Sequence, residues 1–206
     1  MKYVFVHGLG QKADSWNDTT SLLPNPVTCP DLFLLLGDKS ATYDNLYTVF
    51  SQYCDNTNEP LNLCGLSLGG VLALHYAIEN PHNVRSLALI GTQYKIPKGL
   101  MKFQNVIFRL MPKSVFNKIG IQKQDFLQLS RSMLDIDFSS SVKSIACKTL
   151  ILCGEKDAAN KKAALHFSEN ISNATLHWVA DAGHEVNTDN PQALATLLTD
   201  FYNSVE

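Results

Sequence analysis

The 206-residue chain contains no run of 18 apolar residues, so nothing in it reads as a membrane span. It lacks a strong charge of either sign: 17 basic residues stand against 19 acidic ones, a net charge of −2. No basic stripe argues for nucleic acid, and no polybasic cluster argues for an anionic membrane. Cysteine is sparse and unpaired in pattern. Cys29, Cys54, Cys64, Cys147 and Cys153 form neither a C-x-x-C pair nor a zinc spacing, and most lie inside apolar runs. They read as small buried hydrophobes in a reducing compartment. The N-terminus, Met1-Lys2-Tyr3-Val4-Phe5-Val6-His7-Gly8, has no basic region followed by a long apolar stretch, so no secretory leader is expected. A cytoplasmic protein is the resulting expectation. Neither a phosphate-binding P-loop nor a G-x-G-x-x-G after a strand occurs, so no cofactor is called for. His184-Glu185-Val186-Asn187-Thr188 lacks the second histidine of H-E-x-x-H, so no metal is called for either.

What is present is ordinary globular composition, 45% hydrophobic and 17% charged. A chain of this length suits one domain, residues 1–206, which buries about 70% of its unfolded surface. Short apolar runs alternate with helical patterns. Tyr3–Val6, Val27–Cys29, Leu61–Cys64, Val84–Ile90, Thr149–Cys153 and Thr175–Val179 read as strands. Residues 43–55, 68–79, 158–170 and 191–202 read as helices. Ser15 is expected to cap a further helix, with Asp18 three residues on, and residues 33–42 read as a loop despite three leucines. Strands alternating with helices imply a parallel sheet of the α/β class.

Residues 93–144 break this alternation. Pro97, Gly99, Pro112 and Gly120 punctuate two amphipathic patterns, Leu100–Met111 and Gln124–Leu134. They predict a short helical lid inserted into a core of 1–92 and 145–206. Their apolar faces read first as the lid's own core and second as a hydrophobic acyl pocket.

The run Leu61-Asn62-Leu63-Cys64 ends in Gly65-Leu66-Ser67-Leu68-Gly69-Gly70, and a helical pattern follows at once. Gly-x-Ser-x-Gly between a strand and a helix places a serine on a sharp turn with positive φ. Without a Cβ, Gly65 and Gly69 let strand and helix close on each other. The turn exposes the Ser67 hydroxyl and leaves the Leu68 N–H at a helix N-terminus, where an oxyanion is favoured. A serine hydroxyl needs a base, and the base needs a group to orient it. Asp157 and His184 follow strands in the order Ser, Asp, His. Asp181 is the nearest rival acid but shares the loop of His184.

Five segments in order resemble the α/β-hydrolase superfamily: Val6-His7-Gly8-Leu9-Gly10, Pro30-Asp31-Leu32, the Ser67 elbow, Leu150 to Asp157, and Gly183-His184. The resemblance covers nearly the whole chain. It implies an α/β-hydrolase fold, here with a reduced, mainly parallel sheet of about six strands. It implies Ser67 as nucleophile, His184 as general base and acid, and Asp157 as the group that orients His184. The oxyanion hole would be the backbone N–H groups of Leu9 and Leu68. His7 would be a structural hydrogen bonder in that loop. Two departures stand out: family members usually carry two strands before the His-Gly strand, and a Gly-x-Gly turn after Pro-Asp-Leu, and neither is seen here.

The implied activity is a serine hydrolase acting on a small-molecule carboxylic ester, or a thioester, through an acyl-enzyme. Serine at the elbow disfavours a dehalogenase. Fold does not fix function, so two alternatives stand: a non-hydrolytic ligand receptor or binding module, and a lyase or carbon–carbon bond hydrolase using the same triad.

Overall fold

The computed structural model describes residues 1–57 and 59–205, with the side chains of residues 100 and 103 outside the description; those two expected apolar positions are therefore not assessed. Six strands form one sheet: β1 (Lys2–Val6), β2 (Val27–Thr28), β3 (Leu61–Leu66), β4 (Val84–Ile90), β5 (Lys148–Gly154) and β6 (Ala174–Val179). Their order is β2-β1-β3-β4-β5-β6, and every pairing is parallel.

The strands are apolar on both faces because both faces are covered. Period two sorts their side chains. Val4, Val6, Leu61, Leu63, Leu87, Leu89 and Ile151 pack on one side of the sheet. There lie α3 (Tyr43–Asp55), α4 (Leu68–Glu79) and α8 (Lys161–Asn170). Tyr3, Phe5, Cys64, Leu66, Ala88, Ile90, Leu150 and Leu152 pack on the other, against Trp16 and the apolar stripe Leu194, Leu198, Phe201 and Tyr202 of α10 (Pro191–Asn203). Edge strand β6 is more exposed, and polar His177 and Thr175 interrupt its apolar positions.

Helix starts follow capping chemistry. Thr42 caps α3 by accepting the Asn45 N–H, and Asn190 caps α10 by accepting the Ala193 N–H, with Pro191 in the first turn. Two expectations fail on the same chemistry. Residues 33–42 are not all loop: α2 (Leu32–Leu36) forms because the Asp31 carboxylate accepts the N–H groups of Phe33 and Leu34. Ser15 does not cap a helix. It lies within a 3₁₀ turn, Ala13–Trp16, and α1 (Asn17–Thr20) begins after it.

Between β4 and β5 run three helices where the pattern predicts two: α5 (Lys98–Leu110), α6 (Lys113–Lys118) and α7 (Lys123–Ser132). The two ends of this connection are clasped. The Ile96 N–H donates to the Ile136 carbonyl at 3.1 Å, and the Phe138 N–H donates to the Tyr94 carbonyl at 2.8 Å. Lys95–Asp137 and Lys98–Asp135 ion pairs lie beside these bonds, at 2.6 and 2.7 Å. One more short helix, α9 (Val186–Asp189), precedes α10. All five cysteines are free. Burial raises the thiols of Cys54 and Cys153 to about 12 and that of Cys29 to about 11, which removes their nucleophilic form at neutral pH. Among the described residues no helix is long and apolar enough to cross a membrane.

Candidate active site

Open parallel sheets gather functional groups at the carboxyl ends of their strands. Ser67 follows β3, Asp157 follows β5, and His184 follows β6. Ser67 has φ 54° and ψ −115°, a conformation that side chains seldom adopt. The surroundings hold it there. Its N–H donates to the Ile90 carbonyl at 2.9 Å, and its carbonyl accepts the Val71 N–H at 3.0 Å. The glycines on either side permit the close approach. A Cβ on Gly65 would strike the Gly69 carbonyl, and a Cβ on Gly69 would strike the Val6 carbonyl. Helix α4 therefore starts against the end of β1.

The imidazole of His184 is held through Nδ1, which lies 2.8 Å from Asp157 Oδ2. The Asp157 side chain is 4% exposed and that of His184 42%. Asn160 completes the cradle. Its Nδ2 donates to both carboxylate oxygens of Asp157, at 2.9 and 2.7 Å, and its Oδ1 accepts from Gln93 Nε2 at 2.7 Å. Burial works against the Asp157 carboxylate, but hydrogen bonds from His184 and Asn160 outweigh it and hold its pKa below the usual value. Asp181 takes no part. Its side chain is exposed and pairs with Lys156 Nζ at 3.2 Å.

Ser67 and His184 line one cavity of about 420 Å³, a size that suits a small organic molecule. Ser67 Oγ makes no hydrogen bond to His184 or to any other described residue. Leu9 and Leu68 also line the cavity, and among the described residues their backbone N–H groups have no hydrogen-bond partner. The opposite wall is apolar, built from Val71, Ile96, Met101, Phe108, Phe126 and Met133. Most of these come from the β4–β5 connection, whose apolar side chains divide between the cavity wall and a core of their own. Phe116, Ile121 and Phe126 pack together as a small core with Phe108 against it, and Phe108 and Phe126 join Met101 and Met133 in facing the cavity.

His7 is fully buried and is not among the residues that line the cavity. The Leu32 N–H donates to its Nε2 at 3.0 Å, so Nδ1 carries the proton and donates to the Gly8 carbonyl at 2.8 Å. Burial lowers its pKa, against opposing pulls from the Gly8 carbonyl, Asp31 and Asp14. A neutral ring thus ties the Leu9 loop to the start of α2, the structural role expected of it.

Four residues near the site were not singled out from the sequence. Gly91 has φ 53°, and a Cβ there would lie 3.0 Å from His184 Nδ1 and 3.4 Å from Asp157 Oδ2. The one signal available was a glycine directly after a strand. Asn160 gave no signal, because only the fold of the β5–α8 loop turns it back onto Asp157. Gln11 and Asn187 form a reciprocal buried amide pair at 3.0 and 3.2 Å across 176 residues of sequence, joining the Leu9 loop to α9. No local pattern announces such a pair. Among the described residues no group of three or more histidine, cysteine or acidic side chains gathers as a metal site would.

A doubly wound parallel sheet with polar groups at its strand ends, facing a largely apolar cavity, places the protein among the α/β folds. More particularly, the chain belongs to the alpha/beta hydrolase family, which it matches over residues 3–197. It is 33% identical over 134 residues to the probable lysophospholipase BODYGUARD 1 of Arabidopsis thaliana, a match spanning 55% of this chain but 27% of that protein's length. It is 22% identical over an alignment of 253 residues to the monoacylglycerol lipase ABHD6 of Mus musculus, covering 98% of this chain and 75% of that protein. Among solved structures it shares its fold with MenH from S. aureus (18% identity, TM-score 0.81, 100% of this chain and 94% of that one). The same holds for a thermophilic esterase from Thermogutta terrifontis (18% identity, TM-score 0.82, 100% and 90%).

Proposed function

We propose that the protein is a serine hydrolase that cleaves a carboxylic ester, or a thioester, through an acyl-enzyme. One observation carries the reading. A strained, cavity-facing serine shares that cavity with an imidazole whose Nδ1 is anchored on a carboxylate, leaving Nε2 for the proton transfer. In this reading Ser67 Oγ attacks the acyl carbonyl and His184 Nε2 accepts its proton. Asp157 keeps His184 in the tautomer with Nδ1–H and stabilises the imidazolium. The tetrahedral oxyanion accepts hydrogen bonds from the Leu9 and Leu68 N–H groups. His184 then passes its proton to the departing alcohol or thiol, and water cleaves the acyl-enzyme by the same steps. Removing one oxyanion donor typically costs about 10²–10³ in turnover.

The apolar wall supports an acyl group as the buried part of the substrate. The similarity to proteins named as lipases points the same way. Residues 93–144 would act as the lid, and residues 1–206 as a single domain with its core in 1–92 and 145–206.

One observation favours a second reading, a ligand receptor on the same fold: Ser67 Oγ is not hydrogen-bonded to His184. Such bonds often tighten only when substrate binds. Intact mass after fluorophosphonate treatment decides between the two. A single adduct on the wild type, absent from Ser67→Ala, is the expected result. A folded wild type that takes no adduct and turns over no activated ester would refute the hydrolase and leave the receptor.

A further inference from the structure

The balanced net charge conceals a segregation. Residues 93–144 hold nine of the 17 basic residues and three of the 19 acidic ones, a net charge of +6 against −8 for the rest of the chain. Within them, residues 98–124 carry six basic residues and no acidic one. Lys98 is paired with Asp135, and Lys123 Nζ is turned onto the carbonyls of Arg109 and Met111. Lys102, Arg109, Lys113 and Lys118 are exposed and, among the described residues, enter no ion pair.

Helix α5 presents its apolar residues on two sides. Met101 and Phe108 line the cavity and Asn105 is buried beside them. On the solvent side Val106 is 53% exposed, Ile107 43% and Leu110 82%. At 100° per residue, Val106 and Leu110 are adjacent on the face turned away from the cavity, with Lys102 and Arg109 along one border. Apolar side chains standing out between cations are the signature of a helix lying in the plane of a lipid interface.

We propose that the outer face of α5, with the start of α6, docks on an anionic lipid surface. The charge favours this occupant over a second copy of the chain, since two faces of net positive charge repel. A fluid acyl boundary also needs no shaped partner, only apolar side chains that protrude and cations that reach headgroup phosphates. Docking would bring α5, one wall of the cavity, onto the membrane, so that an apolar substrate could enter from lipid. The binding itself does not depend on the hydrolase reading.

The test is flotation of the whole protein with vesicles of phosphatidylcholine alone and of phosphatidylcholine mixed with phosphatidylserine. Partitioning should be at least about tenfold stronger on the mixed vesicles, since each basic residue near such a surface contributes roughly fivefold. It should weaken as salt is raised. Lys102→Glu with Arg109→Glu should abolish the preference for phosphatidylserine. Val106→Ser with Leu110→Ser should lower partitioning on the mixed vesicles by about tenfold or more. These side chains are exposed, so thermal melts should show all variants folded, and fluorophosphonate labelling in solution should be unchanged. Equal binding to both vesicle types, no binding, or a dimer in solution that Leu110→Ser dissociates would each overturn the proposal.

Discussion

Replacing Gly91 by alanine separates backbone strain from damage to the His184–Asp157 pair. Gly91 has φ 53°, and a non-glycine residue in the left-handed region costs about 1–2 kcal/mol. For a chain of this size that lowers Tm by roughly 2–8 °C. The added Cβ would also lie 3.0 Å from His184 Nδ1, 3.1 Å from its Cε1 and 3.4 Å from Asp157 Oδ2. Ordinary contact needs several tenths of an ångström more, and the imidazole, more exposed than the carboxylate, is the group that gives way. A misplacement of about 1 Å can cost roughly 10²-fold in rate, so a shift of about half that predicts a loss near tenfold in kcat. Gly37→Ala is the control, with φ 57° and nothing within 4 Å of the new Cβ. The assay pairs thermal melting with turnover of an activated ester. Both variants should lose stability, and Gly91→Ala alone should lose kcat. Equal kcat in the two variants would refute the role given to His184, or the placement of Gly91 beneath it.

Asn160→Ala should destabilise by about 1–3 kcal/mol near neutral pH, because a buried carboxylate loses its amide donor. Asp157 is held below its unfolded value of about 3.9, so the stability it confers is full above that pH and is lost as pH falls through the depressed native value. Urea unfolding should accordingly show the deficit of Asn160→Ala shrinking in acid; an equal deficit at both pH values would mean that Asn160 does not act through the carboxylate. Phe108→Ala opens the apolar wall, so kcat/KM for longer acyl esters should rise relative to short ones by about fourfold per methylene accommodated. An unchanged chain-length profile would remove α5 from the acyl site. Trp16 is fully buried, edge-on to Phe5 with centroids 5.2 Å apart, and Trp16→Ala should cost about 3–5 kcal/mol, or roughly 6–20 °C in Tm. A melt within a few degrees of wild type would contradict that packing.

Features that rest on near neighbours along the chain are legible in the order of the residues. Continuous apolar runs such as Tyr3–Val6 specify strands covered on both faces, and 3.6-residue spacing specifies α3, α4 and α10. The elbow is equally local, since Gly65 and Gly69 have to be small for strand and helix to meet around Ser67. Asp157 and His184 were legible as strand-end residues because an α/β sheet exposes its strand ends, and the structure brings them within 2.8 Å of each other. Asp31 as the cap of α2 was local too, yet the leucine run after it reads as loop unless the cap is recognised. Other features exist only because distant chain segments meet in the folded protein, and they leave no local pattern. Folding turned Asn160 back onto Asp157, set Gly91 beneath His184 and paired Gln11 with Asn187. It also divided the apolar residues of 93–144 between cavity, inner core and solvent. Helical spacing shows that a face is apolar but not what it meets, because burial is settled by the elements packed around it.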